Sequence, residues 1–138
     1  MDKAHDATKL ELVTGETSLG RIHLGAITES LAVSRDSKRM AYGALRGGRW
    51  LVVVDGQEGN GYDGVIEGSP IFSPDGNRVA YGAARGGKRF VVVDGQEGKE
   101  YDGLLRGAEL VFDSAAALHS LADRNNEIFL IEIEIVEK

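Results

Sequence analysis

Six side chains carry the clearest chemistry in this chain: Arg46, Arg49, Trp50, Arg85, Lys88 and Arg89. They cluster at two Arg-Gly-Gly turns, where cations on a shared rim would attract an acidic peptide or another anion and steer its approach. Arg-Gly-Gly also occurs in RNA-binding tails, but those are disordered tracts whereas these turns join ordered segments, so no nucleic-acid partner is expected. Asp55, Glu58, Asp94 and Glu97 offer oxygen atoms to a hard cation. They miss the dense spacing of an EF-hand loop, and Asp-Gly pairs are strong turn formers, so no metal is expected. His5, His23 and His119 stand far apart in sequence. No cofactor and no catalytic residue is expected.

What positions the six is an internal repeat. Ser34 to Gly68 matches Ser73 to Gly107 at an offset of 39 residues with no gap. Arg46-Gly47-Gly48 falls on Arg85-Gly86-Gly87, and Val52-Val53-Val54-Asp55-Gly56-Gln57-Glu58-Gly59 is repeated as Val91 to Gly98. A unit of this length cannot bury its own apolar surface and needs stacked neighbours. Each unit divides into four short apolar segments, in the second copy Ser69–Ser73, Arg78–Ala84, Lys88–Val93 and Glu100–Leu105. The separators are rich in Gly-Gly and Asp-Gly, which supply the positive φ that hairpins need. Leu51-Val52-Val53-Val54 and Phe90-Val91-Val92-Val93 are unbroken apolar runs, the mark of a strand covered on both faces. The sequence therefore predicts all-β architecture built from four-stranded antiparallel sheets packed face to face, as in the blades of a β-propeller.

The same offset extends in both directions. Gly20, Gly25, Ile27 and Ser30 fall on Gly59, Gly64, Ile66 and Ser69, and Arg124-Asn125-Asn126 falls on Arg85-Gly86-Gly87. The expected division of a single partial domain over 1–138 is the end of a preceding blade (9–29), two blades (30–68 and 69–107) and a partial terminal blade (108–136). Within the last, 113–124 fits a strand in the repeat frame, while its three alanines and a capping aspartate also fit a short helix.

Composition narrows the function classes. The formal charge of −6 argues against general affinity for nucleic acid. The absence of cysteine removes thiol catalysis, disulfides and cysteine-ligated metals. No apolar run approaches a membrane span, so no membrane partner is expected, and Met1 to Asp6 lacks an apolar h-region. As written the chain would stay in the cytoplasm; a leader removed beforehand would make it periplasmic.

Phe72-Ser73-Pro74-Asp75-Gly76-Asn77-Arg78-Val79-Ala80-Tyr81, followed by an apolar strand ending in Asp94-Gly95, resembles the TolB-like, WD40-like family of propeller repeats. The likeness covers roughly Leu31 to Ile135. Similar repeats form the propeller domains of prolyl-oligopeptidase-type peptidases, but no Gly-x-Ser-x-Gly elbow is present to bring peptidase chemistry with them. The first copy departs from the pattern at Val33, Arg35 and Ser37, and the last, Val111-Phe112-Asp113-Ser114, has nearly lost it.

About three blades per chain are too few for a ring, since propellers close with four to eight. A two-fold homodimer closing a six-bladed ring is expected, the N-terminal strand of each chain completing the C-terminal blade of the other. Leu10 and Leu12 alternate with charge at one end, as Ile131, Ile133 and Ile135 do at the other. Strand alternation puts the first and third turns, with Asp36, Asp55, Glu58, Asp75, Asp94 and Glu97, on an acidic rim and the second turns on a basic one. The expected function is a non-catalytic scaffold binding a protein or peptide. A hydrolase with its site at a channel mouth, or a structural fragment of a longer propeller, are the alternatives.

Overall fold

The computed structural model describes residues 9–22, 25–104 and 109–137, and for 27–29 the backbone alone. Among the described residues every regular element is a strand, and none is a helix. Sheet I holds β1 (Ala26–Val33), β2 (Met40–Arg46), β3 (Arg49–Val54) and β4 (Gln57–Glu58) in that order. Sheet II holds β5 (Gly64–Val65) and β6 (Ile71–Phe72) on one edge of β7 (Val79–Arg85), followed by β8 (Lys88–Val93) and β9 (Gln96–Glu97). Sheet III repeats the plan with β10 (Gly103–Leu104) and β11 (Val111–Ser114) on one edge of β12 (Ala117–Arg124) and β13 (Glu127–Glu134) on the other.

Local chemistry explains the hairpins. Gly47-Gly48, Gly86-Gly87 and Asn125-Asn126 all take positive φ at both central positions, the turn whose twist matches the flanking strands. Asparagine is the next most tolerant residue there, as the repeat frame anticipates. The opening turns are built by buried serines. Ser34 Oγ accepts the Arg39 amide at 3.0 Å and donates to Asp36 at 2.7 Å, and Ser73 does the same for Arg78 and Asp75 at 2.9 and 2.6 Å. The segment 113–124 is the end of β11, a turn at Ala115-Ala116 and β12: Asp113 and His119 pair across this hairpin, and β12 is hydrogen-bonded along both edges. Two-sided pairing defeats the helical alternative.

Two sequence expectations shift. The fourth segment, Glu100–Leu105, is not one strand of one sheet: Tyr101 bridges Arg89 of sheet II, while Gly103–Leu104 pair with β12 of sheet III. Tyr62 and Gly64–Val65 divide in the same way between Trp50 and β7. The chain thus changes sheet at Asp63 and Asp102, earlier than the expected 68/69 and 107/108 boundaries, and Ala26–Ile27 pair with β2 in sheet I. At each crossing an aspartate holds the next hairpin: Asp63 accepts the Gly86 amide and Asp102 the Asn125 amide, both at 2.9 Å. Leu105 and Gly107, at the end of the second repeat, lie outside the described residues.

The core sits in the seams between sheets. Ala41 and Val52 of sheet I meet Tyr81, Ala83, Phe90 and Val92 of sheet II, with Tyr62 wedged between. Ala80 and Val91, on the opposite face of sheet II, meet Leu118, Ala122 and Ile131 of sheet III. Val91 and Val92 are therefore buried toward different neighbours, which is why the run is apolar without alternation. A third cluster, Tyr42, Ala44, Leu51 and Val53, lies on the other face of sheet I. Seam packing leaves no room at Gly82, where a Cβ would stand 2.6 Å from Ile66 and 2.9 Å from Leu104.

Candidate functional site

The six residues singled out in the sequence stand at the ends of two equivalent hairpins. Arg46 stands directly opposite Arg49, and Arg85 opposite Lys88, while Trp50 and Arg89 follow one position later. Like charges placed so are mutually repulsive unless carboxylates intervene, and carboxylates do. Arg46 is ion-paired with Glu58. Arg85 grips Glu97 through both guanidinium nitrogens, at 2.9 and 2.5 Å. Lys88 reaches Asp102 at 2.8 Å, and Arg49 donates to the Gly61 carbonyl at 2.9 Å.

The expected separation into an acidic and a basic rim therefore does not hold for Arg46, Arg85, Glu58 and Glu97. Period-two alternation explains the difference: Arg85, Phe90, Val92 and Glu97 share the face of sheet II that looks toward sheet I. Arg85 lies over the Phe90 ring at 5.1 Å from its centroid and over Tyr62 at 5.7 Å, and reaches along that face to Glu97. Tyr62 closes the cluster from sheet I, its hydroxyl donating to Glu97 at 3.0 Å and its ring packing edge-on against Tyr81 and Phe90. Arg85 holds the Glu97 carboxyl below its ordinary value, and Glu97 raises Arg85 in return. Burial, aided by Glu97, pushes the Tyr62 phenol up, and burial pushes Tyr81 further. Lys88 lowers Asp102, helped by the Asn125 amide. Tyr62 and Tyr81 are thus packing residues of the seam between sheets I and II.

Sheet III repeats half of this arrangement. Arg124 lies over Tyr101 at 5.5 Å and over Phe129 at 4.8 Å, but Val136 stands where the repeat has Glu97. The 39-residue recurrence of Arg46, Arg85 and Arg124 was the signal for this role in the sequence; only strand alternation shows that it points into the seam.

The other candidates are engaged structurally as well. Asp55 accepts from Arg39 and the Met40 amide at 2.9 and 3.0 Å, and Asp94 accepts from Arg78 and the Val79 amide at 2.9 Å each. Among the described residues no group of three His, Asp or Glu side chains could hold a metal ion. His119 is paired with Asp113 at 2.8 Å, and His5 and His23 lie outside the described residues. Trp50 is half-buried and lines a cavity of about 500 Å³ between sheets I and II, with Leu31, Ile66 and Pro70 on its walls. Arg89 is half-buried, its backbone paired with Tyr101 at 2.7 and 2.9 Å.

The surface that remains open is elsewhere. Ile131, Ile133 and Ile135 pack inward against sheet II instead of forming an exposed stripe. The opposite face of sheet III presents Val111, Leu121 and Leu130, the last 60% exposed, with Ile128 beside them. In sheet II the equivalent positions are Gly82 and Val91, covered by sheet III. The edge of β13 is open too: β3 and β8 are flanked by β4 and β9, but β13 pairs only with β12 among the described residues. Its hairpin keeps the register of the others, Asp123 opposite Ile128 as Ala84 is opposite Arg89. The Ile128 amide and carbonyl consequently point outward, as those of Trp50 and Arg89 do toward Tyr62 and Tyr101. At the other end, 9–22 contains no strand, and Leu10, Leu12 and Val13 are each more than four-fifths exposed.

Compared with known proteins, the chain matches no family model and none of the curated proteins.

Proposed function

We propose that the chain is a non-catalytic interaction module of β-propeller type that binds protein by strand addition along β13 and by apolar contact on the adjoining face of sheet III. The observation that carries this is an eight-residue strand with one edge unpaired among the described residues, beside a face bearing Leu121 and Leu130. An edge of this kind offers a row of backbone donors and acceptors to an added strand. The engagement of Arg46, Arg85 and Lys88 by carboxylates favours the open sheet over the charged rim as the contact surface, with the rim left to steer approach. Sequence likeness to TolB-like and WD40-like repeats supports the propeller type, a fold whose functions lie in grafted surfaces.

Affinity retention with quantitative comparison of variants tests this. Proteins held by the wild-type chain should be lost from Leu121→Asp/Leu130→Asp and kept by Arg46→Glu/Arg85→Glu. Loss confined to the charge-reversed variant would move the contact to the rim, and retention by both would refute the surface altogether.

A further inference from the structure

We infer that the protein bound at β13 is a second copy of this chain, whose residues 18–22 supply the missing fourth strand of sheet III. The inference rests on the interaction surface proposed above and names its occupant. Sheets I and II show what that strand must be. Each has a segment after a two-residue Asp-Gly turn, 57–62 and 96–101, that lies along its third strand and then crosses directly into the following sheet. Its recurring contact is a glycine amide: Gly59 donates to the Val52 carbonyl at 2.9 Å and Gly98 to the Val91 carbonyl at 2.8 Å. One repeat earlier stands Gly20, in a segment that likewise leads into a sheet, through Gly25 whose carbonyl accepts the Leu45 amide at 3.0 Å.

Residues 18–22 already sit against sheet I, with the Leu19 carbonyl and Gly20 packed on Gly56. The equivalent turn one repeat on, Asp94-Gly95, faces Gln57–Gly59. No backbone–backbone hydrogen bond engages 9–22 among the described residues, and the Gly20 amide donates to Ser18 Oγ at 3.2 Å within its own segment. Among the described residues no strand pairs with this segment. Sheet III is the converse: Ile133-Glu134 replace Asp94-Gly95, so β13 runs straight through the turn position and does not fold back. Sheet I and sheet III lie on opposite faces of sheet II, so a segment anchored on sheet I cannot reach β13 of its own chain. Exchange between two copies satisfies both ends at once and is self-complementary, the requirement of a two-fold interface. Two copies of three sheets give six, within the range at which propellers close.

The repeat fixes the register. Val54 opposite Gln57 becomes Glu132 opposite the partner's Ser18, and the Gly20 amide meets the Leu130 carbonyl. Ser18 and Glu132 are both exposed and the chain has no cysteine, so a cysteine pair placed there reports this contact alone. Ser18→Cys/Glu132→Cys should form an intermolecular disulfide under mild oxidation, while the off-register pair Ser18→Cys/Glu127→Cys should form none. Wild-type chain should sediment at twice 14.8 kDa, and Gly20→Pro, which removes the donor amide and cannot take the φ of 108° found there, should shift it to the monomer with an unchanged far-ultraviolet spectrum. A monomer at all concentrations, or equal cross-linking of both cysteine pairs, would overturn the inference. If proteins retained through Leu121 and Leu130 persist in that monomer, only the identity of the occupant falls; if they vanish too, the interaction surface falls with it.

Discussion

Sheets II and III follow one plan a repeat apart, and they differ where sheet II has a neighbour and sheet III does not. Gly82 becomes Leu121, Val91 becomes Leu130, and the Asp94-Gly95 turn becomes Ile133-Glu134. On the opposite faces, both of which are covered, the plan holds: Phe90 matches Phe129 and Ala83 matches Ala122. The difference teaches that small residues in this repeat mark a face that receives the next sheet. Bulkier apolar residues stand on the face that no sheet covers among the described residues.

The largest effect that would sharpen this contrast is expected in the I–II seam. Phe90→Ala should cost about 3–5 kcal/mol, the usual price of emptying a buried aromatic site. In the Gly20→Pro background, where the chain is expected to be monomeric, Leu121→Ala should cost under about 1 kcal/mol. Urea denaturation measures both, and equal losses would erase the distinction between the two sheets. Next comes Gly82→Leu, which copies the sheet III residue into sheet II. Contact with Ile66 and Leu104 makes an overpacking loss of about 1–3 kcal/mol the expected outcome. A stability equal to wild type would mean that the seam is looser than its geometry.

Much of this was legible in the sequence because it is local. Gly-Gly and Asn-Asn fix hairpins within two residues, and unbroken runs such as Phe90–Val93 announce burial on both faces. What was not legible depends on neighbours. Alternation says that Ile131, Ile133 and Ile135 share a face but not which sheet covers it. The crossing at Asp63 and Asp102 is set by the Gly86 and Asn125 amides of the following sheet, and the Asp-Gly pairs there read as ordinary turns that do not announce a change of sheet. Arg46 and Arg85 read as rim cations because they adjoin turns, whereas their aliphatic stems lie along the sheet face and carry the guanidinium to a glutamate two strands away.

Smaller shifts separate the equivalent turns. Ser37 and Gly76 occupy the same place with φ of 61° and 76°, and only glycine takes that conformation without strain. Ser37→Gly should gain, and Gly76→Ser lose, up to about 1 kcal/mol in thermal or urea unfolding. The smallest expected change concerns acid. Arg85 lowers the folded pKa of Glu97 below its unfolded value, so the pair's contribution is complete above the unfolded pKa of about 4.3 and is lost as pH falls through the lowered folded value. Glu97→Gln should therefore flatten the decline in urea midpoint between pH 5 and pH 3, while Val136→Gln, at the matching place in sheet III, leaves it unchanged.

Amide hydrogen exchange at Arg89 and Ile128 tests the central claim most directly. The two amides hold the same register position in sheets II and III, and the first is bonded to the Tyr101 carbonyl at 2.9 Å. Arg89 should exchange slowly in the wild-type chain and in Gly20→Pro alike, whereas Ile128, on the edge that no strand covers among the described residues, should exchange freely in Gly20→Pro. Free exchange at Arg89, or an Ile128 amide in Gly20→Pro as protected as that of Arg89, would contradict the account.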